Sequence, residues 1–317
     1  MVEVLVIADD LTGAADTSVG FLPYLEHVVL FLGQIPKTPK KNSQPTAWAM
    51  HTASRGLSET EAFHKVLQAG LRVRCIGPGL VYKKVDSCMR GNVGAEVQAL
   101  LKALDAPCSF IAPAHPEMGR TTIGGVHLLR GVPVAETEMA WDPVSPVRSS
   151  SLQEIVAATS DLGVHHVELD SLRGDQNSLE ARIREAIRTG VRHVSFDASE
   201  MTHLERIAAL GLKMRALMVG SAALAEALAK VRFARKAASQ RKPSSLRGRR
   251  RQLLVVGSKS PRSKEQVSLL LTRLNLNRVS VPVHGPLGES TLEEITSRAL
   301  RSQEMALLVT PMPQGEQ

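Results

Sequence analysis

The sequence predicts an α/β fold: a parallel sheet in a large N-terminal domain, followed by a smaller α/β domain. Three observations predict it. From Ser151 onward, helical and strand-like segments alternate strictly, which is the pattern of a parallel sheet with helices on its faces. Earlier in the chain, strand-like segments such as the apolar Val4–Ala8 and Leu80–Val85 end in polar turns that lead into helix-like stretches. Between Arg232 and Gln252 the composition turns to Lys, Arg, Ser, Pro and Gly, and the strand-and-helix rhythm restarts beyond it. The expected division is therefore 1–231, a basic linker 232–252, and 253–317.

The chain opens with its most informative stretch. Val4–Ala8 is a buried strand, Asp9 and Asp10 follow, and Leu11-Thr12-Gly13 starts an Ala-rich helix that carries Asp16. In open α/β sheets, ligands bind at the carboxyl ends of the strands, where this aspartate pair falls. Paired carboxylates there suit a hydroxyl-bearing substrate or a Mg²⁺ ion. An aspartate before a helix also serves as an N-cap, and one of the two suffices for that role.

His27–Leu32 is a second strand, and residues 33–46 form a Pro, Lys and Ser-rich loop. Ala47–His51 is a short strand, followed by Thr52-Ala53-Ser54-Arg55-Gly56. Ser58 then caps a helix to about Ala69, with Glu61 completing a capping box. Arg55 thus lies in a second strand-to-helix turn. The strand Leu80–Val85 runs into Asp86-Ser87-Cys88-Met89-Arg90-Gly91-Asn92, and a helix follows to about Leu104. Strand alternation places Lys83 and Val85 on one face and Lys84 and Asp86 on the other. Arginine holds a carboxylate in bidentate fashion and lysine supplies a point charge, so this cluster suits an acidic, hydroxylated ligand.

Cys108–Ala114 is a further strand, leaving through His115-Pro116-Glu117-Met118-Gly119-Arg120, a loop fixed by Pro and Gly. Two apolar runs around Arg130-Gly131 read as a hairpin. Residues 136–150 form a long loop suited to a lid or an interface. Helices are expected at 151–162, 178–189 and 201–210, with strands at His166–Leu169, His193–Asp197 and Ala216–Val219. Gly220-Ser221 starts a helix to about Lys230 and offers a plausible anion site at its N-terminus. Beyond the linker, Leu253–Val256 is a strand whose turn, Gly257-Ser258-Lys259-Ser260, can cradle phosphate with backbone N–H groups. Strands at Val279–Val283 and Ala306–Thr310 and a helix near Leu292–Leu300 complete a thin second domain.

Composition narrows the function classes. At 317 residues with 43% apolar content, the chain carries a sizeable core. Aromatics at 3% leave few stacking surfaces for bases. The net charge of +8 is local: residues 232–252 hold nine Lys or Arg and no acid, and removing those nine leaves the rest at −1. Nucleic-acid binding is thus not indicated beyond that segment. Cys75, Cys88 and Cys108 form no CxxC pair, which argues for a reducing compartment and against zinc. No run approaches the roughly 18 apolar residues of a membrane span. A cytoplasmic protein is expected.

IADDLTGAADTSVGF, SRGLS, YKKVDSCMRGNVGAE, PAHPEMGRTTIGGVHLLRGVPVAETEMAWDPVSPV, VGSAALAEAL and VVGSKSP follow one another in an order similar to that of the four-carbon acid sugar kinase family. That family contains threonate, erythronate and 3-oxo-tetronate kinases, and YKKVDSCMRGN resembles the threonate and erythronate type more closely. The resemblance covers nearly the whole chain. It implies an N-terminal sugar-acid domain, a C-terminal nucleotide-binding domain, and ATP- and Mg²⁺-dependent phosphorylation of a terminal hydroxyl on a four-carbon sugar acid. It implies that Asp9 and Asp10 face the substrate hydroxyl, one as general base. It places Arg55, Lys84, Asp86 and Ser87 in the substrate site with Lys83 and Arg90 as neighbours, and Gly257 and Ser258 at the nucleotide. A homodimer is also expected. Family members continue for roughly another hundred residues and carry a late Gly-rich phosphate loop; nothing in residues 285–317 matches it, so the nucleotide half resembles a shortened one.

Overall fold

The computed structural model describes residues 2–36, 45–234, 252–257, 261–274, 277–280, 289–300 and 305–309. The chain separates into two compact units, residues 1–241 and 242–317. Ser258 and most of the basic stretch 232–252 lie outside the described residues.

The first unit contains β1 (Val2–Ala8), α1 (Leu11–Val19), β2 (His27–Phe31), β3 (Thr46–His51), α2 (Glu59–Ile76), β4 (Val81–Lys84), α3 (Val93–Leu104) and β5 (Ser109–Ala112). It continues with β6 (Arg120–Ile123), β7 (Val126–Leu129), β8 (Val132–Pro133), α4 (Leu152–Ala157), β9 (Gly163–Val167), α5 (Leu169–Arg173) and α6 (Gln176–Arg188). It closes with β10 (Val191–Phe196), α7 (Met201–Met214), β11 (Leu217–Gly220) and α8 (Ala222–Phe233). Eight of these strands form one sheet in the order β2-β3-β1-β4-β11-β5-β10-β9. Every adjacent pair in it is parallel.

The apolar runs are continuous because both faces of the sheet are covered. In β1, Val4, Val6 and Ala8 enter the core layer shared with α1, α7 and α8. Leu5 and Ile7 enter the opposite layer, shared with α2, α3 and α4. The chain therefore leaves β1 toward one face through α1, and leaves β3 and β4 toward the other through α2 and α3. That split places the carboxyl end of β1 at a topological switch point, where open α/β sheets receive ligands.

Several elements differ in extent from the sequence reading. Helix α2 runs on to Ile76 and stops at Gly77, whose φ of +64° ends it in a left-handed cap. Gly70, which suggests a stop near Ala69, instead lets α2 approach α3: a Cβ there would lie 2.6 Å from Ala103 Cβ. Arg120–Ile123 is a strand rather than loop, and with β7 and β8 it makes a three-stranded antiparallel sheet. Helix α4 ends at Ala157, short of the expected 162, and β9 begins at Gly163, ahead of the expected His166. The Gly220-Ser221 turn is packed shut: a Cβ on Gly220 would lie 2.3 Å from Ala112 O. The Ser221 hydroxyl donates to Ala114 O at 2.6 Å and is fully buried. The Ser221 hydroxyl also accepts from Ala223 N–H at 3.2 Å, so this turn ties the strand ends to the helix start.

The second unit contains β12 (Gln252–Val256), α9 (Pro261–Arg273), β13 (Asn277–Ser280), α10 (Glu289–Leu300) and β14 (Met305–Val309). Its strands form a parallel sheet in the order β12-β14-β13. Gly257 follows β12 as an exposed residue. No described helix is long and apolar enough to cross a membrane.

Candidate active site

Register brings the predicted residues together. Ala8 pairs with His51 on one side and Lys84 on the other, so Asp9 emerges between the segments that carry Arg55 and Asp86. Asp9 is buried at 3% exposure. Arg55 Nε donates to Asp9 Oδ2 at 2.6 Å, and Arg55 Nη1 stands 3.0 Å from Asp10 Oδ2. Arg55 Nη2 lies 3.8 Å from Asp86 Oδ1. One guanidinium thus faces three carboxylates from two strand ends, Asp9 and Asp10 after β1 and Asp86 after β4. Burial works against its charge, but the Asp9 hydrogen bond and the charges of Asp9, Asp86 and Asp10 outweigh that effect and raise the Arg55 pKa.

Asp10 and Asp9 have different employments. Asp10 is the N-cap of α1, its Oδ1 accepting from Gly13 N–H at 2.8 Å. With Oδ2 on Arg55, both Asp10 oxygens are engaged. Asp9 has Oδ2 on Arg55, while its buried Oδ1 has no hydrogen-bond partner among the described residues. A buried carboxylate oxygen without a donor is costly unless a ligand supplies one.

Asp86 anchors the turn after β4. Its Oδ2 accepts from Cys88 N–H at 3.1 Å and Arg90 N–H at 3.3 Å. Arg90 grips it in bidentate fashion, Nε to Oδ2 and Nη2 to Oδ1, each at 2.9 Å. Arg90 Nη1 also reaches Asp142 Oδ2 at 2.9 Å, tying in the loop of residues 136–150. Burial would raise the Asp86 carboxyl; the hydrogen bonds and charge of Arg90, with Arg55 and Lys84 behind them, hold it well below the usual carboxylate range. Lys84 Nζ donates to Val85 O at 2.8 Å. Burial lowers its pKa, and Asp9, Asp86 and Asp10 oppose that shift. The Ser87 carbonyl accepts from His127 Nε2 at 2.8 Å, and His127 Nδ1 meets Thr122 Oγ1 at 3.0 Å, so β6 and β7 brace this turn.

Lys83 is the exception among the expected substrate residues. Its side chain is fully buried, with Nζ 2.6 Å from Glu96 Oε2 and donating to Lys84 O at 2.9 Å. Strand alternation turns it toward α3, away from Lys84, and the structure does not bring it to Asp9. Ser258 lies outside the described residues, and Gly257 belongs to the second unit. Sequence reading missed Asp142, His127, Ser54 and Glu96. Glu96 had a signal: a carboxylate on the helix face of Val93, Val97 and Leu100 demands a buried partner.

Among the described residues, no group of three His, Cys, Asp or Glu side chains is arranged to hold a metal. Arginines take up most of the carboxylate oxygens of this site, while Asp9 Oδ1 is left without a hydrogen-bond partner among the described residues.

Residues 4–228 match the family model of the sugar-binding N-terminal domain. The chain is 34% identical over 299 residues to a D-threonate kinase of Salmonella typhimurium, covering 93% of this chain and 67% of that protein. The chain belongs to the four-carbon acid sugar kinase family. Another relative in the family is a D-erythronate kinase of Heliobacterium modesticaldum, 31% identical over 290 residues, 90% of this chain and 64% of that one. The chain thus spans about two thirds of the length of these curated kinases. A Bordetella bronchiseptica protein, crystallised with bound citrate as a domain-swapped dimer, superposes with a TM-score of 0.63 at 26% identity, covering 98% of this chain and 75% of that one.

Proposed function

We propose that this protein phosphorylates a terminal hydroxyl of a four-carbon sugar acid of the threonate or erythronate type, with ATP-Mg²⁺ as donor. The observation that carries the reading is the buried, unpartnered Asp9 Oδ1 beside Arg55 and Lys84. A substrate hydroxyl donates its hydrogen bond to that oxygen. As the hydroxyl oxygen bonds the γ-phosphorus, its proton passes to Asp9, the bond from phosphorus to the bridging oxygen breaks, and ADP leaves. Arg55 keeps the other Asp9 oxygen occupied, so the acceptor lobe points one way. Lys84 offers a cation to the substrate carboxylate. Phosphoryl transfer asks mainly for such positioning and charge balance. Mg²⁺ arrives with the phosphates of ATP, as it commonly does, and the residues described here need not hold it.

The citrate of the Bordetella relative, a hydroxylated carboxylate, supports this class of ligand, and its swapped dimer supports a homodimer for this chain. A panel of four-carbon sugar acids assayed for ADP release from ATP-Mg²⁺ tests the reading. Sugar-acid-dependent ADP is the expected result. Ligand-induced thermal stabilisation without ADP would instead make the protein a sugar-acid binder.

A further inference from the structure

We propose that Lys83, Glu96 and Ser54 form a buried positioning relay that holds Arg55 against Asp9; its catalytic consequence rests on the phosphoryl-transfer reading, its geometry does not. The relay is continuous. Lys83 Nζ meets Glu96 Oε2 at 2.6 Å, and the Ser54 hydroxyl donates to Glu96 Oε1 at 2.7 Å. The Thr52 and Ser54 hydroxyls lie 2.7 Å apart, and Thr52 Oγ1 reaches Ala8 O at 3.0 Å. Ser54 N–H donates to Asp9 O at 3.0 Å. Ser54, Lys83 and Glu96 are 0%, 0% and 2% exposed.

Each end of the relay touches backbone beside a residue of the site. Ser54 is bonded to Asp9 O and immediately precedes Arg55, while Lys83 Nζ holds the carbonyl of Lys84. Between Thr52 and Ser54, Ala53 adopts a φ of +46°, a left-handed conformation that costs a non-glycine residue free energy. The two flanking hydroxyls hold that bend in place, and the bend sets where Arg55 leaves the chain.

The surroundings argue that the ion pair is there for position. Lys83 is flanked in the sheet by Ile7 and Val219, and Glu96 lies on the Val93, Val97 and Leu100 face of α3. In such a layer an apolar pair of similar volume is commonly as stable as a buried ion pair or more so. An apolar pair cannot accept the Ser54 hydrogen bond.

The test follows the Arg55 Nε–H in the ¹⁵N-labelled full chain, its resonance identified by absence in Arg55→Lys. In the wild type it is a slowly exchanging signal. Ser54→Ala is expected to lose it to solvent exchange, and Ser54→Thr, which keeps the hydroxyl, to retain it. Lys83→Met/Glu96→Leu provides a second route: it removes the Ser54 acceptor while filling the layer, so the melting temperature holds or rises as the Arg55 signal is lost. An Arg55 signal unchanged in Ser54→Ala and in the double variant overturns the relay, whatever the protein catalyses. With turnover, Ser54→Ala lowers kcat/KM by about ten-fold or more and adds no further loss in the Arg55→Lys background; additive losses also overturn it. A wild type that keeps the signal but phosphorylates no sugar acid sinks the kinase reading and leaves the relay standing.

Discussion

Arg55 Nε lies 2.6 Å from Asp9 Oδ2, joining two strand ends 46 residues apart in sequence. Arg55→Lys keeps a charge but not the planar fork that reaches Asp9, Asp10 and Asp86 at once. It is expected to lower kcat/KM for the sugar acid by about ten- to a hundred-fold. Arg55→Ala leaves the buried Asp9 carboxylate without its main counter-charge and should cost about 3 kcal/mol in urea denaturation. A loss within about 0.5 kcal/mol would mean the pair is not effectively buried.

The two adjacent aspartates separate by substitution. Asp9→Asn removes the proposed proton acceptor and should lower kcat by about a thousand-fold with a small change in melting temperature. Asp10→Asn keeps a good N-cap and should retain turnover within about ten-fold, whereas Asp10→Ala loses about 1 kcal/mol of stability. Steady-state kinetics and thermal melts on the three variants check both halves. Equal kinetic losses in Asp9→Asn and Asp10→Asn would move the base away from Asp9.

Gly13 is small because two charged groups crowd its position. A Cβ there would lie 2.5 Å from Asp10 Oδ1 and 3.1 Å from Lys84 Nζ. Gly13→Ala should displace the cap carboxylate and lower stability by about 1–2 kcal/mol, although alanine favours helices elsewhere. A raised KM for the sugar acid should accompany it, as Lys84 shifts.

His193 makes stability pH-dependent. Its imidazole is buried between Ser109 Oγ and Ser160 Oγ, each 2.9 Å away. Burial lowers its pKa to about 4, against a weak opposing pull from Asp161. The unfolded value is about 6.5, so the unfolded chain binds more protons between these limits. The contribution of neutral His193 is complete above about pH 6.5 and is lost as the pH falls toward about 4. Melting temperatures of the wild type should drop more steeply across that window than those of His193→Gln. Parallel curves would remove His193 from the acid response.

The legible part of the fold was the part set by period and cap. The apolar run of β1, the Ser58–Glu61 capping box and the alternation after Ser151 all depend on local spacing, and the large parallel sheet follows from them. Element ends were less legible where a glycine served packing: Gly70 resembles a stop, and only the approach of Ala103 explains it. At the site, strand alternation correctly separated Lys83 from Lys84. It could not say that Lys83 would be taken up inside the layer, because that depends on Glu96, a residue on another element. Asp142 was hidden for the same reason, since its bond to Arg90 spans 52 residues of chain. Of the aspartate pair, Asp10 takes the N-cap role, and Asp9 keeps an oxygen without a hydrogen-bond partner among the described residues.

As proposed, Asp9 Oδ1 receives the proton of a sugar-acid hydroxyl during phosphoryl transfer. Phosphorus NMR of wild type and Asp9→Asn incubated with ATP-Mg²⁺ and D-threonate or D-erythronate tests it most directly, with both proteins at matched sugar-acid occupancy. A growing phosphoester resonance is expected with the wild type and none on the same timescale with Asp9→Asn. Equal rates of product formation by the two proteins, or no phosphoester from the wild type with any four-carbon sugar acid, would contradict it.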